Sequence, residues 1–163
     1  MNQKTETCII VGAGSGLSAS LARLFRTNDM DVVLAARNVK KLTSFSKEIG
    51  CDLVQCDSSD ADQVKKLFIQ TDEIFGAPSL VVYNPSTRIR GDITSLDPQQ
   101  TKLALETTCF GAFLVAQQAA VRMISEGSGS IFFTGASAGV KGFANSSVFA
   151  MGKFGLRGLA QSL

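Results

Sequence analysis

Short, unbroken apolar runs alternate along this chain with longer stretches in which apolar residues recur three or four positions apart. The runs are Cys8-Ile9-Ile10-Val11, Val32 to Ala35, Leu53-Val54, Leu80-Val81-Val82-Tyr83 and Ile131-Phe132-Phe133. An apolar run without alternation is what a strand carries when both of its faces are covered. The stretches between them follow the face of a helix. Leu17, Leu21, Leu24 and Phe25 mark the first, and Val39, Leu42, Phe45 and Ile49 the second. Val64, Leu67, Phe68 and Phe75 mark the third; Leu103, Phe110, Phe113, Leu114 and Val121 mark the fourth. A last helix runs from about Ser147 to the end.

The boundaries carry their own chemistry. Asn38 can cap the second helix. Asp97-Pro98-Gln99-Gln100 combines a capping Asp, a Pro at the first helical position and a Gln three residues after the cap. Glu126-Gly127-Ser128-Gly129 ends that helix, and Arg88 to Ser95 is a polar connection. Strand and helix alternate throughout, which predicts repeated βαβ units and a parallel sheet. Right-handed crossovers make it an α/β, doubly wound sheet. No repeat, low-complexity tract or linker divides residues 1–163, so a single domain is expected.

Composition narrows the function classes. The chain has 163 residues, 45% hydrophobic, with 3 prolines, which suits a folded domain. Net charge is +2 with scattered basic residues, so no nucleic-acid partner is expected. No apolar run approaches bilayer length, so no membrane partner is expected. Met1 to Thr7 is polar and lacks the apolar core of a signal peptide, and a cytoplasmic location follows by default. Cys8, Cys51, Cys56 and Cys109 have no CxxC spacing, and the chain has no histidine. No metal site is expected, and Ser-His and Cys-His mechanisms are excluded. The cysteines read as reduced core thiols.

Between the first strand and the first helix lies Gly12-Ala13-Gly14-Ser15-Gly16-Leu17. Glycines let the backbone turn sharply against a pyrophosphate, and the following helix offers free N–H groups and the positive end of its dipole. The GxGxxG spacing is not met, because Leu17 stands at the third glycine's place. The pattern that fits is Gly-x-x-x-Gly-x-Gly, with Ser18 as its last member. A plain flexible turn is the alternative. After the second strand comes Ala36-Arg37. An acidic residue there would hold the ribose hydroxyls of NAD, whereas Arg37 can pair with a 2′-phosphate, which favours NADP(H) over NAD(H). The alternative is an exposed arginine at a helix start.

With these residues the chain resembles the short-chain dehydrogenase/reductase family. The resemblance runs from Thr5 to Leu163. It rests on Gly12-x-x-x-Gly16, Ala36-Arg37, Cys56-Asp57, Tyr83-Asn84-Pro85-Ser86, Gly129-Ser130-Ile131 and Phe149-x-x-x-Lys153, in family order and spacing. It implies a Rossmann fold and a dinucleotide-binding domain. It implies that Asp57, with Ser58 beside it, contacts the adenine ring, and that Asn84 lines the adenosine ribose. Pro85 and Ser86 depart from the family's Asn-Asn-Ala-Gly. From the residues alone, Asp57 could cap a turn and Asn84 could be a turn residue.

The family's active site holds asparagine, serine, tyrosine and lysine. By resemblance the asparagine position is Thr108, the serine position Ala136 and the tyrosine position Phe149; Lys153 alone is retained. Ser137 is one residue late and could substitute if its loop shifts. Phenylalanine has no hydroxyl to act as acid or base. A positioned acid or base contributes about 10²–10⁴ in rate, and a lost carbonyl-polarising donor a further factor of about 10²–10³. Tyr83, Ser146 and Ser147 are further hydroxyls to consider. Lys153 can be read as a ribose anchor, a proton donor with depressed pKa, or a solvated helix lysine.

Family members run to roughly 250 residues, in the usual range for one α/β domain. Residues 1–163 are therefore expected to be the N-terminal two thirds of such a subunit, with a sheet incomplete at its C-terminal edge. A homodimer or homotetramer is the family-level expectation, through Phe110, Phe113, Leu114, Phe154 and Leu159. Two functions follow. One is an NADP(H)-dependent oxidoreductase acting on a small-molecule carbonyl or alcohol, with an atypical active site. The other is a non-catalytic NADP(H)-binding sensor or partner subunit. A sugar epimerase-like relative using NAD is a third, weaker reading.

Overall fold

The computed structural model describes residues 5–163. Five parallel strands form one sheet: β1 (Thr7–Val11), β2 (Asp31–Ala36), β3 (Asp52–Gln55), β4 (Leu80–Tyr83) and β5 (Ser130–Phe133), in the order β3-β2-β1-β4-β5. The helices are α1 (Leu17–Thr27), α2 (Thr43–Ile49), α3 (Ala61–Phe75), α4 (Pro98–Leu105), α5 (Gly111–Glu126) and α6 (Ser147–Ser162). The fold is the doubly wound α/β sheet expected from the alternation of runs.

The unbroken apolar runs have a direct explanation. Ile9 and Val11 of β1 face one core, with Val64, Leu67 and Phe68 of α3, Val115 of α5 and Leu156 of α6. Cys8 and Ile10 face the other, with Ala22 of α1 and partly buried Phe25, Phe45 and Ile49. Both faces of the strand are covered, so successive residues must all be apolar.

The cap expected at Asp97 forms, and Asp60 caps a further helix. Asp97 Oδ1 accepts from Gln100 N at 2.7 Å, with Pro98 opening α4. Asp60 Oδ1 accepts from Asp62 N and Gln63 N, both at 3.0 Å, at the start of α3.

Three local expectations change. The helix after Asn38 is a 3₁₀ turn (Val39–Leu42) running into α2, with Asn38 accepting from Lys40 N at 3.2 Å. The helix after Asp97 is interrupted by a π-helical segment, Glu106–Phe110, between α4 and α5. Leu17 and Leu24 of α1 are exposed, and the helix meets the sheet through Ser18, Ala19 and Ala22. Similarly, Leu103, Phe110, Phe113 and Val121 are exposed, and Ala112, Leu114, Val115, Ala119 and Met123 turn inward from α5. Alanines on both helices share these contacts with larger side chains, Leu21 and Phe25 on α1 and Leu114, Val115 and Met123 on α5.

Candidate functional site

The chain runs from β1 outward to β2 and β3, then returns to place β4 and β5 on the other side of β1. The crevice where the order reverses lies at the C-terminal ends of β1 and β4, the place where open α/β sheets bind ligands. A cleft of about 370 Å³ opens there, with Gly12, Arg37, Asp57, Ser58 and Asn84 among its walls. Residues far apart in the sequence are thus brought together.

Gly12 turns the backbone with φ +77°, and a Cβ there would come within 2.6 Å of Pro85 N. Both facts demand glycine. Gly14 and Gly16 differ: a Cβ on either meets nothing within 4 Å. They flank open space, with exposed Ser15 between them and Leu17 beyond. Gly16 supplies no side-chain cap to α1; its carbonyl accepts from Ala19 N and Ser20 N, and the Leu17 and Ser18 N–H groups have no partner within the helix. Ser18 Oγ donates to the Gly12 carbonyl at 3.3 Å and accepts from Asn84 Nδ2 at 2.8 Å. Asn84 therefore locks the end of β4 to the glycine turn.

On the other wall, Asp57 Oδ1 accepts from Ser59 N at 3.0 Å and Ser59 Oγ at 2.7 Å. Its turn-forming role is thus realised, while the residue still lines the cleft. Ser58 is buried, its Oγ bonded to the Tyr83 hydroxyl at 3.2 Å. Arg37 is exposed on the cleft, and no ion pair engages it among the described residues.

Tyr83, the chain's only tyrosine, is fully buried. Its hydroxyl donates to the Thr107 carbonyl at 2.5 Å, and burial raises its pKa well above the ordinary phenol range. It ties β4 to the π-helical segment and serves packing.

A second cavity, about 780 Å³, lies beside the first turn of α6. Ser137, Ser146 and Phe149 line it, together with Arg88 and Arg90 from the connection after β4. The Ser147 hydroxyl, in contrast, is enclosed and without a partner. Thr108 is buried in the π-helical segment, and its Oγ1 accepts from Thr87 N at 3.2 Å. A Cβ on Gly152 would lie 2.9 Å from Thr108 Cγ2, so α6 packs tightly on that segment.

Lys153 is buried, and its Nζ donates to the Thr134 carbonyl at 2.6 Å. Burial lowers its pKa, and the Arg88 charge lowers it further. With Ala136 it borders a separate, mainly apolar cavity of about 240 Å³. Two cations lie near the Phe149 ring: Arg88 Cζ is 4.3 Å and Lys153 Nζ 5.9 Å from its centroid. Phe149 is also packed into the core, 8% exposed. The structure thus groups Thr108, Ser137, Phe149 and Lys153 around the start of α6.

Arg88 is the feature that sequence reasoning passed over. It lies in a polar connection with no periodicity, and its meeting with Phe149 depends on tertiary contacts alone.

A family model described as short chain dehydrogenase matches residues 6–163. The chain is 29% identical over 167 residues to a sepiapterin reductase of Chlorobaculum tepidum, covering 95% of this chain and 68% of that protein. It is 28% identical over 166 residues to an uncharacterized oxidoreductase of Mycobacterium tuberculosis, covering 97% of this chain and 66% of that protein. It spans about two thirds of the length of these curated relatives. Among solved structures, a short-chain dehydrogenase from Rhodopseudomonas palustris superposes with a TM-score of 0.90 at 29% identity, covering 96% of this chain and 76% of that one. A metagenomic short-chain oxidoreductase in complex with NADP shares the fold, with a TM-score of 0.92 at 24% identity over 96% of this chain and 74% of that one.

Proposed function

Because the chain belongs to the short-chain dehydrogenase family, we propose that it binds NADP(H) across the crevice between β1 and β4 and acts as an oxidoreductase on a small carbonyl or alcohol. The residues present fit the cofactor. Gly14 and Gly16 border open space at the uncapped start of α1, which suits a pyrophosphate. Arg37, in no ion pair among the described residues, offers its guanidinium to a 2′-phosphate on the same cleft as Asp57 and Asn84. That shared cleft is the observation that carries the reading. A bound nicotinamide supplies or accepts the hydride.

The chain's own residues account for less of the proton's path. Phe149 carries no hydroxyl, and Lys153 directs its amine at Thr134. Ser137 and Ser146 are the hydroxyls on the cavity beside Phe149. A serine without a neighbouring base is a weak acid–base group. This same feature favours a second reading, a non-catalytic NADP(H)-binding subunit.

A second copy of the chain is the partner this reading includes. Phe110 and Phe113 stack at 6.1 Å between ring centroids, and both, like Phe154, are exposed. A homodimer or homotetramer would cover them. No helix among the described residues is long and apolar enough to cross a membrane, and a cytoplasmic location accompanies the proposal.

Nicotinamide absorbance followed with a panel of ketones, aldehydes and alcohols tests the enzymatic reading. Turnover above background supports it, while tight cofactor binding without turnover supports the second. Phe149→Tyr combined with Ala136→Ser should raise carbonyl reduction by about 10²-fold or more if only those groups are missing.

A further inference from the structure

The cavity beside Phe149 has a marked electrostatic character. Arg88 and Arg90 both line it, and neither makes an ion pair among the described residues. A third cation stands at its margin: Lys141 Nζ lies 5.0 Å from the ring centroid of Phe143, which lines the cavity. One carboxylate, Asp92, also lines it. Its Oδ1 is engaged by Thr94 N at 3.0 Å and by Thr94 Oγ1 at 2.7 Å. Asp92 forms no ion pair with either arginine among the described residues.

Their loop is fastened. Gly91 N donates to the Asn145 carbonyl at 3.1 Å, joining the connection after β4 to the segment that leads into α6. Thr87 N, one residue before Arg88, donates to Thr108 Oγ1 at 3.2 Å. Arg88 Cζ sits over the Phe149 ring at 4.3 Å from its centroid, an attraction that uses the π face and leaves the guanidinium N–H groups available for hydrogen bonds. A planar fork of that kind matches the oxygens of a carboxylate or a phosphate. Ser137 and Ser146 add hydroxyl donors to the same cavity.

We propose that Arg88 and Arg90 form an oxyanion subsite, and that the substrate is a small carbonyl compound carrying a carboxylate or a phosphate. This rests on the cavity beside Phe149 being the substrate space. The subsite explains why two guanidinium groups are kept together next to buried Lys153, an arrangement of like charges that a bound anion relieves. It also assigns a use to the Phe149 ring, as the platform that orients Arg88.

Calorimetric titration of the full chain, with and without NADP⁺, tests the proposal through binding alone. The probes are oxamate, inorganic phosphate and the neutral amide oxamide. Oxamate or phosphate should bind, oxamide should not, and affinity should fall as salt rises. Arg88→Gln and Arg90→Gln should each weaken anion binding about tenfold or more, the loss of a charge-assisted hydrogen bond, with NADPH affinity unchanged. Arg88→Lys, which keeps the charge and loses the fork, should fall between. Binding of oxamate alone identifies a carboxylate substrate, and binding of phosphate alone a phosphorylated one. If neither anion binds better than oxamide, or if the glutamine variants bind them as well as the parent, the subsite is refuted. Anion binding that persists where NADPH fails to bind would instead refute the cofactor reading and leave the subsite standing.

Discussion

Lys153 Nζ meets the Thr134 carbonyl at 2.6 Å, joining α6 to the end of β5 inside the protein. The residue is 3% exposed, and the amine's pKa lies below the ordinary 10.5 through burial first and Arg88 second. The folded state thus releases this proton at lower pH than the unfolded state. Below the folded pKa both states are protonated, and the penalty is constant. As pH rises from there towards 10.5 the unfolded chain binds more protons, so this residue's contribution shifts in favour of folding. Urea unfolding of the parent and Lys153→Met from neutral pH to pH 10 should show their stability difference moving towards the parent, at less than about 1.4 kcal/mol per pH unit. A difference that does not change with pH contradicts a depressed amine.

Gly12 and Gly14 should separate stability from binding. Gly12→Ala places a Cβ at 2.6 Å from Pro85 N in a backbone of φ +77°, and a cost of about 2 kcal/mol or more is expected. Gly14→Ala meets nothing within 4 Å and should change stability by no more than about 0.5 kcal/mol. Its methyl group would nonetheless crowd the phosphate approach, and NADPH affinity should drop. Equal effects of the two changes on unfolding would contradict the geometry.

The strands were legible because a sheet covered on both faces needs continuous apolar runs, and Cys8 to Val11 or Leu80 to Tyr83 can be little else. The inner faces of α1 and α5 were less so. Periodicity marks Leu21, Phe25 and Leu114, which do pack inward, but equally Leu17, Leu24 and Phe113, which do not, and it passes over Ala19, Ala22, Ala112 and Ala119. The π-helical segment has no compositional sign, since Tyr83 holding the Thr107 carbonyl and α6 pressing on Thr108 come from distant parts of the chain. Gly12, Arg37, Asp57 and Asn84 could be singled out because each follows a strand end, and the structure gathers them on one cleft. Ser58 lines the cleft as well, while its hydroxyl bonds to that of Tyr83. Arg88 could not be found, because the path from β4 to α4 is irregular and set by bonds such as Gly91 to Asn145.

The Tyr83 hydroxyl is expected to be structural. Tyr83→Phe leaves the Thr107 carbonyl without the donor now at 2.5 Å, a loss of about 1–2 kcal/mol in a buried place. Chemical denaturation should show it, and NADPH titration should give an unchanged affinity. A selective loss of turnover with intact stability would instead give Tyr83 a chemical role.

Alkaline pH should expose the opposite linkage to that of Lys153. Burial, then the charges of Asp57 and Asp60, raise the Cys56 thiol from 9.0 to about 12. Above pH 9 the unfolded thiol has lost a proton that the folded one keeps, so stability is lost as pH rises between those values. Cys56→Ala should flatten the decline between pH 9 and pH 10.5 in urea unfolding. An undiminished slope would place its origin in other groups.

The account depends most on the cleft that joins Arg37 to the glycine turn. Calorimetric titration of the protein with NADPH and NADH, repeated on Arg37→Gln, tests it directly. NADPH should bind about tenfold or more tightly than NADH, and the variant should lose that preference while still binding both, as expected when a charge-assisted pair to phosphate is removed. No binding of either nucleotide, or a preference that survives in Arg37→Gln, would contradict it.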